Sequence, residues 1–327
     1  MVCLAGCAGT RNALPTGAVS LPRLPAQGLI KEQRQGIALL DMRGHRLAWL
    51  RNFTIYPAAP AVQASLDYDF LSTRLNPPLL HGPHGWYRLD PERHALLPVI
   101  GNRISLADGG TVVVRRAEFF LQRHGRTVLH AAAPPFRILS DQLVQTRTVL
   151  YDVADGERWK LPPDGCLADR LRGRSVILAC SIAHGAVAAS RLRLLRLAPD
   201  GTTDPLTPPL GELYPERVLL SPDQRWIAVE GDTGCAASYV YVAPAKGGFV
   251  HLVYGRSIRE PFAANYSTLL GWSSDDRLVV LLEPPYCDGP FGPQRPPRGV
   301  YLVDPRTLTR TFVTTRADAM WNPTPTR

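Results

Sequence analysis

Two histidines, His81 and His84, stand three residues apart in LLHGPHGW, beside glycine and proline. Two imidazoles on one loop can ligate a transition metal, but a site needs a third ligand and none stands at a matching spacing. They read as loop histidines. Asp67 and Asp69 in SLDYDF could open a cation site, yet no further oxygen donors follow at calcium-loop spacing. They read as a solvated helix start. The chain has no G-x-S-x-G elbow, no H-E-x-x-H pair and no P-loop. No catalytic residue, metal or cofactor is assigned, and an enzymatic role is disfavoured.

Thiol chemistry is better signposted. Cys3, Cys7, Cys166, Cys180, Cys235 and Cys287 include no C-x-x-C pair, which argues against zinc-ribbon and thioredoxin-like sites. In CLADRLRGRSVILAC, Gly173 marks a turn, and Cys166 and Cys180 lie seven residues to either side. Across an antiparallel hairpin these two residues would stand opposite, close enough for a disulfide. Cys235 and Cys287 are 52 residues apart, as are Ser221 and Ser273, so they hold the same loop position in consecutive repeats. They form the second expected pair. The alternative is four buried, apolar cysteines. Two disulfides suit an oxidising, exported compartment.

Leu4-Ala5-Gly6-Cys7 resembles the lipobox of bacterial lipoproteins, an aliphatic residue and two small residues before the cysteine that receives lipid. The resemblance implies lipidation of Cys7. Only six residues precede Cys7, without Lys or Arg or an apolar core, so a start upstream of Met1 is expected. Residues 1–7 then read as the remnant of a signal. Residues 8–35 read as a flexible tether holding a possible ring-closing strand.

The remainder, 36–327, reads as one all-β domain. ERVLLSPDQRWIAVEGDTGC…YVYVAPAKGGFVHLV is followed by YSTLLGWSSDDRLVVLLEPPYC…VYLVDPRTLTRTFV, each with four short apolar strands separated by turns. The same pattern recurs in 103–132, 136–162 and 166–208, with Asp-Gly hairpin turns at Asp155-Gly156 and Asp200-Gly201. Gly36 to Val99 reads as a sixth unit with a long insertion between its second and third strands, in which Ala61 to Arg74 could hold a short helix. The predicted fold is a six-bladed β-propeller. Seven blades, the last assembled from both termini, or two packed β-sandwich domains are the alternatives. Ser221-Pro222-Asp223 and its copy Ser273-Ser274-Asp275 resemble the WD-like repeats of TolB-type propellers, with Gln224 and Asp276 where that family usually has glycine. The resemblance covers 36–315 and implies a structural role for these turns.

The formal charge of +9 comes from 37 basic residues, of which only Lys31, Lys160 and Lys246 are lysines. The remaining arginines are scattered, as in the coding bias of a GC-rich bacterial genome, and form no dense run that would track nucleic acid. The longest loops all read as second-to-third connections sharing one face. The last of these, EPPYCDGPFGPQRPPRG, offers Tyr286, Asp288, Phe291, Arg295 and Arg298 as binding candidates. The expected function is that of a monomeric, membrane-tethered extracytoplasmic lipoprotein, a non-enzymatic scaffold for a protein or cell-envelope glycan. It would meet the membrane through its lipid anchor only. A propeller enzyme of lyase or glycosidase type, or a cytosolic interaction protein, are the alternatives.

Overall fold

The computed structural model describes residues 16–322 except 56–77, 101–102, 107–109, 116–117, 133–136, 139–142, 147, 163–165, 172–174, 185–188, 211–212, 233–237, 255–265 and 284–297. The described strands form seven four-stranded antiparallel sheets. Blade I joins β28 (Ala319–Trp321) to β2 (Gly28–Gln33), β3 (Gly36–Leu40) and β4 (Arg46–Arg51). Blade II is β5 (Leu79–Gly82), β6 (Gly85–Asp90) and β7 (Ala95–Pro98), with β1 (Val19–Ser20) as outer strand.

Each of the other five blades takes four consecutive strands. Blade III is β8 (Arg103–Ser105), β9 (Gly110–Arg115), β10 (Glu118–Arg123) and β11 (Arg126–Ala132). Blade IV is β12 (Arg137–Ile138), β13 (Leu143–Gln145), β14 (Val149–Asp152) and β15 (Arg158–Lys160). Blade V is β16 (Leu167–Arg170), β17 (Val176–His184), β18 (Ala189–Leu197) and β19 (Thr203–Pro205). Blade VI is β20 (Tyr214–Leu220), β21 (Trp226–Asp232), β22 (Ser238–Pro244) and β23 (His251–Leu252). Blade VII is β24 (Tyr266–Trp272), β25 (Leu278–Glu283), β26 (Gly299–Val303) and β27 (Arg310–Thr314).

The ring therefore has seven blades, the alternative rather than the expected six. The segment from Gly36 to Val99 is not one unit with an insertion. It supplies two strands to blade I and three to blade II, and each blade is completed by a chain end. Residues 56–77 join the last strand of blade I to the first of blade II. The short helix expected at 61–74 lies outside the described residues.

The core lies between blades. Ile30, Leu39 and Trp321 of blade I pack with Leu80, Leu89 and Leu96 of blade II. Similar clusters link II through III to IV, then IV to V, V to VI and VI to VII, and the last returns from VII to I. Each sheet is apolar on both faces for this reason, as strands such as Val-Val-Leu-Leu of β25 require. The outermost strands β4, β19 and β27 are largely exposed.

The Ser/Asp turns are structural. Ser221 Oγ donates to Asp223 Oδ1 at 2.6 Å, and Arg225 N donates to the same carboxylate oxygen at 2.9 Å. Gln224 and Asp276, standing where glycine is usual, adopt φ of 60° and 59°. The left-handed backbone of the turn is kept at a cost that local hydrogen bonds offset. Asp223 N also donates to Asp276 Oδ1 at 2.8 Å, tying blade VI to blade VII.

Candidate functional site

Strand parity divides the molecule into two unlike ends. In each four-stranded antiparallel sheet, the first-to-second and third-to-fourth connections share one end. The second-to-third connections share the other with the links that run from a fourth strand to the next blade, whereas β7, third in blade II, leaves for blade III from the first end. The first end carries short turns such as 221–225, 273–277 and 304–309. At the second end lie the gaps between β4 and β5, β21 and β22, β23 and β24, and β25 and β26. The strand ends that flank these gaps thus share one face, although residues 56–77 link two blades rather than two strands of one.

Of the residues expected to form the binding face, Tyr286, Asp288, Phe291 and Arg295 lie outside the described residues, as do Cys7, Cys235, Cys287, Asp67 and Asp69. Arg298 is described, and its Nη2 lies 3.4 Å from Oε1 of the buried Glu283, at the mouth of blade VII. Cys166 and Cys180 are joined, with sulfurs 2.05 Å apart and Cα atoms 4.1 Å apart. They stand one step beyond the Leu167–Ala179 pair of the β16–β17 hairpin. The Gln145 side-chain amide donates to the Cys166 carbonyl, so blade IV also holds this corner of blade V. His81 lies in β5 with its ring edge-on to Trp86 at 5.1 Å. Among the described residues, no three His, Cys, Asp or Glu side chains come together as a metal site would need.

Sequence reasoning missed the buried acids. On the loop-bearing side of the seam between blades VI and VII, Glu230 Oε1 accepts from Ser238 Oγ at 3.0 Å and Oε2 from Leu269 N at 3.1 Å. Arg217 crosses the same seam and donates to the Leu269 carbonyl at 2.6 Å. Burial pushes the Glu230 carboxyl up from its ordinary pKa, while the Arg217 charge and the two hydrogen bonds oppose that shift. The signal was present: Glu230 follows four apolar residues in WIAVEGD.

A second buried acid sits at the opposite end, between blades V and VI. Asp169 Oδ2 accepts from Leu220 N at 2.7 Å, and Oδ1 from Arg170 N at 2.7 Å. The residue keeps some exposed surface, but its carboxylate is enclosed by protein, and this burial pushes its pKa up to about 6 against the two hydrogen bonds. A carboxyl raised on folding stabilises most below its unfolded value of 3.8, and that contribution is lost as the pH rises through about 6. Asp169→Asn should therefore gain on the wild type by on the order of 1–3 kcal/mol between pH 4 and 7, on top of a constant cost for one lost acceptor. Denaturant titrations at pH 4, 5, 6 and 7 check this. A pH-independent difference would rule it out.

The arginines have a role that composition did not reveal. Arg88, Arg123 and Arg158 donate to the carbonyls of Ser105, Ala154 and Val128, and Arg196 reaches the Ala245 carbonyl at 3.0 Å. Each bond crosses between adjacent blades. A guanidinium with five fixed donors suits a carbonyl on a neighbouring sheet better than a flexible ammonium does.

No protein-family pattern and no curated protein matches the chain. Among solved structures it is similar to TolB from Acinetobacter baumannii, with 13% identity, coverage of 79% of this chain and 77% of that one, and a TM-score of 0.36. It is also similar to an oligogalacturonate lyase from Vibrio parahaemolyticus, with 11% identity, coverage of 90% and 73%, and a TM-score of 0.35. A prolyl endopeptidase shares 10% identity over 94% of this chain and 50% of its own, with a TM-score of 0.47. The seven-blade architecture itself rests on the strand order and the closed ring of shared cores.

Proposed function

We propose that this propeller is an extracytoplasmic, lipid-tethered scaffold that binds a protein or cell-envelope glycan through its loop-bearing face. The observation that carries the reading is the asymmetry of the two ends. Short turns, cross-bonded between blades, make one end rigid, while the strand ends that flank the long connections share the other. The aromatic and arginine content of 284–297 suits a binding surface, and its prolines lower the entropy lost on binding. The Cys166–Cys180 bond fits an oxidising compartment.

Binding and anchoring need separate tests. The purified chain and a variant with 285–297 replaced by a Gly-Ser linker would be crosslinked to cell-envelope extracts, beside a turn-end variant, Arg225→Ala with Arg277→Ala. The linker variant should lose its crosslinked species and the turn-end variant should keep them. Unchanged species in the linker variant would overturn the binding face. With an export leader fused ahead of Leu4, the chain should take up a fatty-acid label and Cys7→Ser should not. Absence of label from both would overturn the anchor.

A further inference from the structure

The outer edge of blade I is a second exposed surface. Residues 16–55 carry six Lys or Arg against two Asp or Glu, so an eighth of the chain holds +4 of its formal +9. Three of those arginines, Arg43, Arg46 and Arg51, are exposed on the β3–β4 turn and on β4, the solvent-facing strand of the blade. Between them lies Trp49, 38% exposed. The strand register places Arg46, Trp49 and Arg51 on one side. Trp49 pairs with Ala38 and Arg46 with Leu40, both of which point toward blade VII, whereas Leu50 pairs with Ile37, which points toward blade II. A bulge between Leu39 and Leu40 rotates Arg46 onto the Trp49 side.

The chain's own path adds a second observation. β1, the first described strand after the N-terminal segment, is the outer strand of blade II, directly beside blade I. The backbone that follows is fixed there: Leu21 N donates to the His94 carbonyl at 2.7 Å, and Leu24 is buried in the core shared by the two blades. The described chain therefore enters the ring at its rim on the blade II side of blade I, while the basic side chains of β4 face blade VII.

We infer that the blade I edge, Arg43, Arg46, Trp49 and Arg51, lies against an anionic phospholipid surface. Arginines meet headgroup phosphates with paired donors, and an indole is at home at the level where headgroups meet acyl chains. Each basic residue near such a surface contributes roughly fivefold in affinity, so the patch would be weak alone and effective beside a tether. The inference rests on the tether reading only for its orientation. The contact itself is a property of the folded chain.

The test uses the full chain carrying Cys7→Ser, which removes any lipid, and sedimentation with vesicles at low salt. Binding is expected to phosphatidylcholine vesicles containing 30% phosphatidylglycerol, and not to phosphatidylcholine alone. Arg46→Glu with Arg51→Glu should weaken it at least tenfold, and Trp49→Ala several-fold. The charge-matched pair Arg126→Glu with Arg191→Glu, exposed on other blades, should leave it within twofold. No binding to the anionic vesicles, or an equal loss in both charge-reversed pairs, would overturn the inference. So would indifference to Trp49→Ala together with competition by soluble heparin, which would mark a general polyanion site. Failure of fatty-acid labelling at Cys7 would remove the anchor and leave this result intact.

Discussion

Replacing Trp321 with alanine is expected to lower the unfolding free energy by about 3–5 kcal/mol, the range for deleting a large aromatic from a core. Trp321 is fully buried and belongs to the cluster shared by blades I and II. It ends β28, whose three residues pair with Gly28, Leu29 and Ile30 and close the ring. Its indole N–H donates to the Pro25 carbonyl at 3.2 Å, so one side chain holds both chain ends. The fit is close: a Cβ on Gly28 would run into the Trp321 ring and the Leu40 carbonyl. Hydrogen exchange should show Leu29 and Ile30 opening first in the variant. Trp321→Phe, which keeps most of the volume and loses the indole N–H, should cost about 1–2 kcal/mol. A cost below 1 kcal/mol for Trp321→Ala, or exchange spread evenly over all blades, would mean that closure does not depend on this residue.

Glu230 separates charge from hydrogen bonding at the seam between blades VI and VII. Glu230→Ala leaves the Leu269 N–H without its acceptor and Arg217 without its nearby opposite charge, and should cost about 3 kcal/mol at pH 7. Glu230→Gln can still accept from Leu269 N while its amide meets Ser238 Oγ, so it should cost no more than about 1 kcal/mol. The sign of the pH dependence follows from the raised pKa. The wild-type acid stabilises most below its ordinary value of 4.5, and that contribution fades as the pH climbs through the higher folded value. The Gln variant should therefore improve relative to wild type as the pH rises from 4 toward 7. Denaturant unfolding of the three proteins at pH 4 and 7 decides it. Equal losses for Ala and Gln would show that the charge, not the hydrogen bonds, holds the seam.

Much of this fold was legible because its rules are local. A Ser/Asp turn between two apolar runs specifies a hairpin wherever it occurs, and the unit recurs with a 52-residue spacing from Ser221 to Ser273. The positions of Gln224 and Asp276 were recognisable as glycine-like, and both adopt a left-handed backbone. The facing of Cys166 and Cys180 followed from counting outward from Gly173, because register in a short hairpin is set by its turn. The binding-face candidates were named from composition. Of these only Arg298 falls among the described residues, beside Glu283.

What stayed hidden depends on partners far away in the chain. The sequence points to six blades because the consecutive apolar strands between Gly36 and Val99 read as one sheet. β28 meets β2, and β1 meets β7, across separations that no local pattern announces. The arginines seemed a compositional habit because the carbonyls they hold lie on neighbouring blades. Glu230 and Asp169 took on their raised pKa values only when a second blade closed over them. The sequence by itself determined the strands, the tight turns and the hairpin register, since these depend on backbone preferences over a few residues. The tertiary structure alone decided the number of blades, the pairing of the chain ends and the environment of the buried charges, since each is set by the surface that a neighbouring sheet presents.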